Sequence, residues 1–254
     1  MTDQRVLITG GGSGIGHAMA SAFDRVGARV WVTDVDDAVL ASCPADWGKA
    51  CIDVTDEKAM AALFADIEKD WGGLDVLCAN AGIAGPAAEI ENIALADWQR
   101  CVSVNLEGVF LAAKYAAPMM KRQGAGVVLI TSSTAGFFGY PRRAPYAAAK
   151  WAVIGLMETL AMELGPHGIR ANALCPGAVE GPRMDGVIAR ESAVTGKSHD
   201  HIRAAYASGT SMRTWVTGND IAEMAVFLAS PQARFVSGQT IAVDGHTYNP
   251  DPAV

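Results

Sequence analysis

The sequence predicts an α/β fold: a single doubly wound, three-layer domain around a seven-stranded parallel sheet. Three observations predict it. Seven short runs of β-branched and aliphatic residues alternate with longer stretches of helical periodicity. The first run feeds a glycine-rich turn that opens into a helical pattern. No Pro/Ser-rich linker, charge run or internal repeat divides the chain, so residues 1–254 are expected to form one unit.

In order, the strand-like runs are residues 6–9, 28–33, 50–53, 74–79, 127–131, 170–174 and 240–243. Helical length and periodicity mark residues 14–26, 57–71, 95–120, 145–164 and 219–228. Parallel neighbours need long crossovers, and helices supply them, so the alternation implies a sheet covered on both faces. Residues 180–215 are polar, carry Arg and His, and are long for a connection inside a compact domain. They are expected to form a substrate lid that contains some helix.

Half of the residues are apolar, enough for a sizeable core, and the net charge is -7. The chain has no Lys/Arg block of the kind that tracks a phosphate backbone, so nucleic acid is not an expected partner. Cys43, Cys51, Cys78, Cys101 and Cys175 are odd in number and scattered, with no CxxC pair or Cys/His cluster. Reduced thiols in a cytoplasmic protein fit that pattern. His199 and His201 lack carboxylate or thiol partners at ligand spacing, and no metal is expected. The apolar run at Val6 leaves no room for a secretory signal ahead of the fold, and no apolar stretch reaches membrane-spanning length.

The run from Val6 to Gly16 is a buried-type strand, a glycine-rich turn and a helix start. Gly10, Gly12, Gly14 and Gly16 permit a tight turn and close backbone approach, while the helix N-terminus beyond Ser13, at Gly14 and Ile15, offers free N–H groups to a pyrophosphate. The spacing Gly10-x-x-x-Gly14-x-Gly16 is not the literal G-x-G-x-x-G, and a plain strand–helix loop reads the same way. Asp34, followed by Val35, stands at the end of the second strand and twenty residues after Gly14, where a carboxylate can accept from a ribose hydroxyl pair. That charge repels a 2′-phosphate by about 1 to 4 kcal/mol at ~4 Å, roughly tenfold or more in affinity. Ser13 stands where a basic residue would hold such a phosphate, so the expected cofactor is NAD.

With these motifs the chain resembles the short-chain dehydrogenase/reductase family, in its compact branch with a Rossmann-type fold. Thr9-Gly10-x-x-x-Gly14-x-Gly16 is similar to the cofactor loop, Asp53-Val54 to the adenine-contacting pair, and Asn80-Ala81-Gly82 to the motif after the fourth strand. Asn105 matches the helix asparagine, Ser133 with Tyr146-x-x-x-Lys150 the catalytic set, and Pro176-Gly177 the nicotinamide-side turn. The resemblance runs from Val6 to Gly245. It implies an NAD-dependent oxidoreductase working on a secondary alcohol or ketone (a polyol, a sugar derivative or a hydroxy acid), together with a homotetramer. In that turn Gly181 replaces the threonine common in the family, so a hydroxyl contact there is missing, while the backbone of Val179 remains to hold the carboxamide.

Tyr146 and Lys150 are i, i+4 on a helical pattern, which puts phenol and ammonium on one face. A free phenol, pKa ~10, is almost wholly protonated at neutral pH and needs a cation beside it to act as a base. The resemblance makes Tyr146 the acid/base, Lys150 the group that lowers its pKa, Ser133 the donor to the substrate oxygen and Asn105 the anchor of a relay water. Taken from the residues alone, Tyr146 and Lys150 are equally a routine helix pair, and Ser132 can replace Ser133. Candidate specificity residues are Phe137, Phe138, Tyr140, Arg142, Arg143, Arg183, Met184, His199, His201 and Tyr206. The arginines among them can read an anionic substrate or serve as solvated or interface side chains. Two further readings stay open: a 3-oxoacyl-thioester-type carbonyl reductase of the same fold, and a non-catalytic NAD-binding sensor.

Overall fold

A computed structural model describes residues 2–249 of the chain. The sheet is parallel and seven-stranded: β1 (Arg5–Thr9), β2 (Arg29–Asp34), β3 (Gly48–Cys51), β4 (Val76–Ala79), β5 (Gly126–Thr131), β6 (Ile169–Pro176) and β7 (Gln239–Val243), in the order β3-β2-β1-β4-β5-β6-β7. The helices are α1 (Gly14–Arg25), α2 (Asp37–Ala41), α3 (Glu57–Trp71), α4 (Leu95–Val102), α5 (Gly108–Gln123), α6 (Ala144–Leu164), α7 (Pro182–Thr195), α8 (His199–Ser208) and α9 (Gly218–Ala229).

Alternate side chains of each strand enter different cores, as the pleat demands. On β1, Leu7 packs with Phe64, Met120 and Met157 on one face, while Val6 and Ile8 pack with Met19, Phe23 and Leu228 on the other. The two layers are therefore α3, α5 and α6 on one side and α1 and α9 on the other. The strand order reverses between β1 and β4, and in open α/β sheets a ligand crevice opens beyond the carboxyl ends at such a switch point.

Several boundaries differ from the sequence expectation. The third strand is Gly48–Cys51 rather than 50–53, because its ladder with β2 begins at Trp31↔Gly48 and ends at Asp34↔Cys51. Asp53 and Val54 consequently lie in the loop beyond it. The short helix α2 was not expected; the Asp36 carboxylate caps it by accepting from Ala38 N at 2.9 Å. The expected helix 95–120 is interrupted by a π-helical turn, Ser103–Glu107, that separates α4 from α5. Such turns shift the side-chain register by one residue and are frequent at functional sites.

Residues 180–215 hold α7 and α8. The excursion leaves and returns at a parallel bridge, Val179↔Val216, with Glu180 N donating to the Val216 carbonyl at 2.9 Å and Val216 N to the Ala178 carbonyl at 3.1 Å. Val187, Ile188 and Ile202 form its buried side, and Arg203 stacks on Trp215 while reaching Glu180 and Asp185. The segment after β7 folds back on the same chain: Thr247 bridges Thr210, and the Tyr248 hydroxyl donates to the Ser208 carbonyl at 2.8 Å. Residues 1 and 250–254 of the expected single unit, including Pro250 of the tail motif, lie outside the described residues.

Candidate active site

A crevice of about 570 Å3 runs along the carboxyl ends of β1, β4 and β5. At one end it meets Gly10, Ser13, Gly14, Ile15, Gly16, Asp34, Val35, Asp53 and Val54, at the middle Asn80, Ala81 and Gly82, and at the other end Ser133, Tyr146, Lys150, Pro176, Gly177 and Val179. Two of the predicted catalytic and cofactor residues do not line it. Gly12 sits beneath the edge, its N–H donating to Asp34 Oδ2 at 3.2 Å; a Cβ there would stand 2.6 Å from Val39 Cγ2. Its glycine is needed for packing against Asp34. Asn105 is fully buried behind the crevice wall.

The glycine-loop end is built for an anion with a diol beside it. The N-cap of α1, Ser13, makes no side-chain cap, so the first N–H groups of that helix have no side-chain acceptor. Asp34 is held rigidly, with Oδ1 accepting from Val35 N at 2.8 Å and from Asp36 N at 3.3 Å. Arg100, which the sequence reading missed, lines this end too, but it is bridged to Asp53 at 3.0 Å. Burial opposes ionisation of Asp53, yet Thr55 and Arg100 hold its carboxyl below the usual range. Arg100 lies 47 positions from its partner, and no local pattern announces that contact.

In the middle, Thr9 Oγ1 accepts from the amides of Asn80 and Ala81 at 3.0 and 3.1 Å, and Asn80 Nδ2 donates to the carbonyls of Thr9 and Gly10. Asn80 Oδ1 accepts from Thr131 Oγ1 at 3.1 Å. The asparagine thereby ties together the carboxyl ends of β1, β4 and β5.

At the far end α6 presents Tyr146 and Lys150 on one face. Lys150 is 2 % exposed, and its Nζ donates to the Thr131 carbonyl at 2.8 Å. Burial pushes the Tyr146 phenol up, but Arg183, then Lys150 and Arg143, and a hydrogen bond with Ser133 outweigh it and hold it below the ordinary value. Burial lowers the Lys150 ammonium, against the pull of Tyr146. Asn105 Nδ2 donates to the carbonyls of Ile83 and Cys101 at 3.0 and 2.9 Å, so it is a buried asparagine bonded to backbone. Its Oδ1 nevertheless has no partner, and a Cβ built on Gly82 would lie 2.6 Å from that oxygen and 3.5 Å from Lys150 Nζ. The two groups flank one small space suited to a bridging water.

The two serines are now distinct. Both border the crevice, but Ser132 is buried and its hydroxyl donates to the Lys150 carbonyl at 2.8 Å, whereas Ser133 is half-buried and caps the single turn Thr134–Gly136. Ser133→Ala is expected to lower turnover about a hundredfold, as loss of one donor to a charged oxygen does. Ser132→Ala should instead cost about 0.5–1.5 kcal/mol of stability, because it removes a buried hydroxyl that gives a second hydrogen bond to a carbonyl already used inside α6. Steady-state rates and thermal melts of both variants check this, and equal rate losses would contradict it.

Beyond β6, the Val179↔Val216 bridge uses the carbonyl of Ala178 and the amide of Glu180. The N–H and C=O of Val179 itself are turned away from it, at a residue that lines the crevice. Gly181 has φ +135, a conformation that side-chain-bearing residues rarely adopt, which accounts for glycine here. Of the specificity candidates, Tyr140, Arg143, Arg183, Met184 and Tyr206 line the crevice, as does Val187; Phe137, Phe138, Arg142, His199 and His201 do not. Arg142 is paired with Glu89, and the rings of Phe137 and Phe138 contact each other at a tilt of 59°.

Among the described residues no helix is long and apolar enough to cross a membrane, and no group of three or more His, Cys, Asp or Glu residues is placed to hold a metal ion. Residues 10–246 match a protein family described as enoyl-(acyl carrier protein) reductase. The chain is 36% identical over 245 residues to cis-4-hydroxycyclohexanecarboxylate dehydrogenase of Sinomonas cyclohexanicum, covering 94% of both chains. It is 34% identical over 256 residues to levodione reductase of Leifsonia aquatica, covering 96% of this chain and 94% of that protein. Among solved structures, an NAD+-bound xylitol dehydrogenase superposes with a TM-score of 0.93 at 27% identity, covering 96% of this chain and 98% of that one.

Proposed function

The chain belongs to the short-chain dehydrogenase/reductase family, oxidoreductases acting on alcohol and ketone substrates, and from that premise we propose that it transfers hydride between NAD and a secondary alcohol or ketone with Tyr146 as acid/base. The observation that carries this reading is the convergence of Tyr146, Lys150 and Ser133 on the crevice that also holds the α1 N-terminus and Asp34.

The residues present fit a dinucleotide: the uncapped start of α1 suits a pyrophosphate, Asp34 a ribose diol, and the backbone of Val179 a carboxamide. When bound, that group supplies the hydride acceptor or donor. In oxidation the Tyr146 phenolate takes the proton of the substrate hydroxyl, and in reduction the phenol returns it. Lys150 stabilises the phenolate from within the wall. Ser133 donates to the substrate oxygen and offsets its developing charge. Asn105 orders the water through which Lys150 meets solvent. Residues 180–215 act as the lid, bringing Arg183, Met184, Val187 and Tyr206 over the substrate.

NAD rather than NADP follows from Asp34 and from Arg100 being neutralised by Asp53. The same carboxylate disfavours an NADPH-driven carbonyl reductase, and the positioned acid/base goes beyond what an NAD sensor needs. Five free cysteines suit a reducing, cytoplasmic setting. Exposed Phe110 on α5 and Trp151 and Met162 on α6 support the homotetramer.

The test is a panel of polyols, sugar acids, hydroxy acids and secondary alcohols assayed with each cofactor. NADH should form with at least one, about tenfold or more faster than NADPH, and Asp34→Ser should erode that preference. Faster NADPH formation, or an unchanged preference in the variant, would contradict the assignment.

A further inference from the structure

Three cations from two helices surround the Tyr146 ring. Besides Lys150, the Arg143 guanidinium carbon lies 4.7 Å from the centre of the phenol ring and that of Arg183 lies 5.9 Å from it. Arg143 arrives from the N-cap of α6 and Arg183 from the first turn of α7, so two separate elements aim a guanidinium at one spot.

Of the three arginines that line the crevice, Arg100 is paired with Asp53, while Arg143 and Arg183 have no carboxylate partner among the described residues. Nearby acids are engaged elsewhere: Glu89 holds Arg142, Glu180 holds Arg203, and Glu191 accepts from the Tyr206 hydroxyl at 3.1 Å. Each guanidinium spends one N–H on a backbone carbonyl, Arg143 on Ala84 at 3.4 Å and Arg183 on Gly82 at 3.2 Å. Buried Nε of Arg143 has no partner at all. A guanidinium carries five donors in a planar fork, so most of this donor set has no acceptor among the described residues, at two side chains that line the crevice.

The wall at this end includes Tyr140, Met184, Val187 and Tyr206, and the one carboxylate that borders it, Glu180, is paired with Arg203 at 3.3 Å. Three cations beside a wall of Met184, Val187 and two tyrosines whose hydroxyls are held by Thr134 and Glu191 fit a compact molecule with an oxyanion head and a short apolar body. We propose that the substrate is an anionic alcohol, a short hydroxy acid or hydroxysulfonate whose charged head lies within a few carbons of the carbinol, gripped jointly by Arg143 and Arg183. This rests on the reading of Tyr146 as the acid/base and narrows its substrate class.

The test compares kcat/KM for short hydroxy acids with their methyl esters, and for hydroxyalkanesulfonates with their sulfonamides, in the native chain and in Arg143→Met and Arg183→Met. Removing either arginine also changes the field on Tyr146, so the ratio of anion to neutral partner is the readout. The native ratio should be about a hundredfold, and each variant should shrink it about thirtyfold, with NADH affinity by fluorescence titration held within about twofold. The pair showing the larger ratio identifies carboxylate or sulfonate as the head group. Equal use of neutral partners, variants that slow both partners alike, or weakened NADH binding would each overturn the proposal. If no alcohol turns over although NADH binds, the functional reading fails, and titration of the NADH complex with malonate and ethanesulfonate decides the anion site by itself. Saturable binding lost in both variants upholds it; no binding overturns it.

Discussion

Tyr146→Phe is expected to lower turnover about ten-thousandfold while leaving NADH affinity within about twofold, the upper range for removal of a positioned acid/base. The substitution deletes one oxygen. The ring that stands against Arg143, Lys150 and Arg183 remains, so the wall of the crevice keeps its shape. What disappears is the group that the proposed mechanism sets against the substrate oxygen and that neighbouring charge holds below its ordinary pKa. Rapid-mixing rates combined with fluorescence titration of NADH separate the two effects. Retention of a tenth or more of the native rate would mean that another group moves the proton.

Lys150→Met should produce the next largest loss, about a thousandfold in kcat/KM for oxidation at neutral pH, and the loss should shrink as pH rises. Oxidation needs the phenolate. Below its pKa the ionised fraction grows tenfold per pH unit, so a change that raises the pKa moves the ascending limb of the profile to higher pH. Lys150 lowers the phenol through its charge, and Met replaces its stem without that charge. Arg183 and Arg143 stay in place, so the shift should be partial rather than complete. The pH dependence of kcat/KM for the variant measures it. A deficit equal at every pH would assign Lys150 to tethering the Thr131 carbonyl, which it also does at 2.8 Å.

Much of this arrangement is legible in the sequence because it depends on local patterns. Strands buried on both faces read as short apolar runs, and the strand, glycine turn and helix start at residues 6–16 carry their own signature. The i, i+4 spacing of Tyr146 and Lys150 survives because α6 is a regular helix. What escaped the reading depends on tertiary contacts. The π turn at Ser103–Glu107 leaves no periodic trace inside a long apolar pattern, yet it decides where Asn105 points. The β3 boundary is set by pairing with β2 rather than by the apolar stretch through Ile52. Gly12 looked like part of the phosphate cradle, although its amide serves Asp34 from below. Ser132 and Ser133 are indistinguishable by residue type, and only the Lys150 carbonyl beside Ser132 tells them apart. Arg143 and Arg183 were visible as residues, but their meeting at Tyr146 across 40 positions of sequence needed the fold.

The ionisation of the Tyr146 phenol can be measured without knowing the substrate. Near-ultraviolet tyrosinate absorbance, titrated with pH in the NAD+ complex of the native chain and of Tyr146→Phe, isolates residue 146 as the difference. The account predicts one phenol ionising clearly below the ordinary value of ~10. A difference spectrum that develops only at ~10 or above would show that the surrounding cations do not outweigh burial, and Tyr146 would then lack the property on which the mechanism depends.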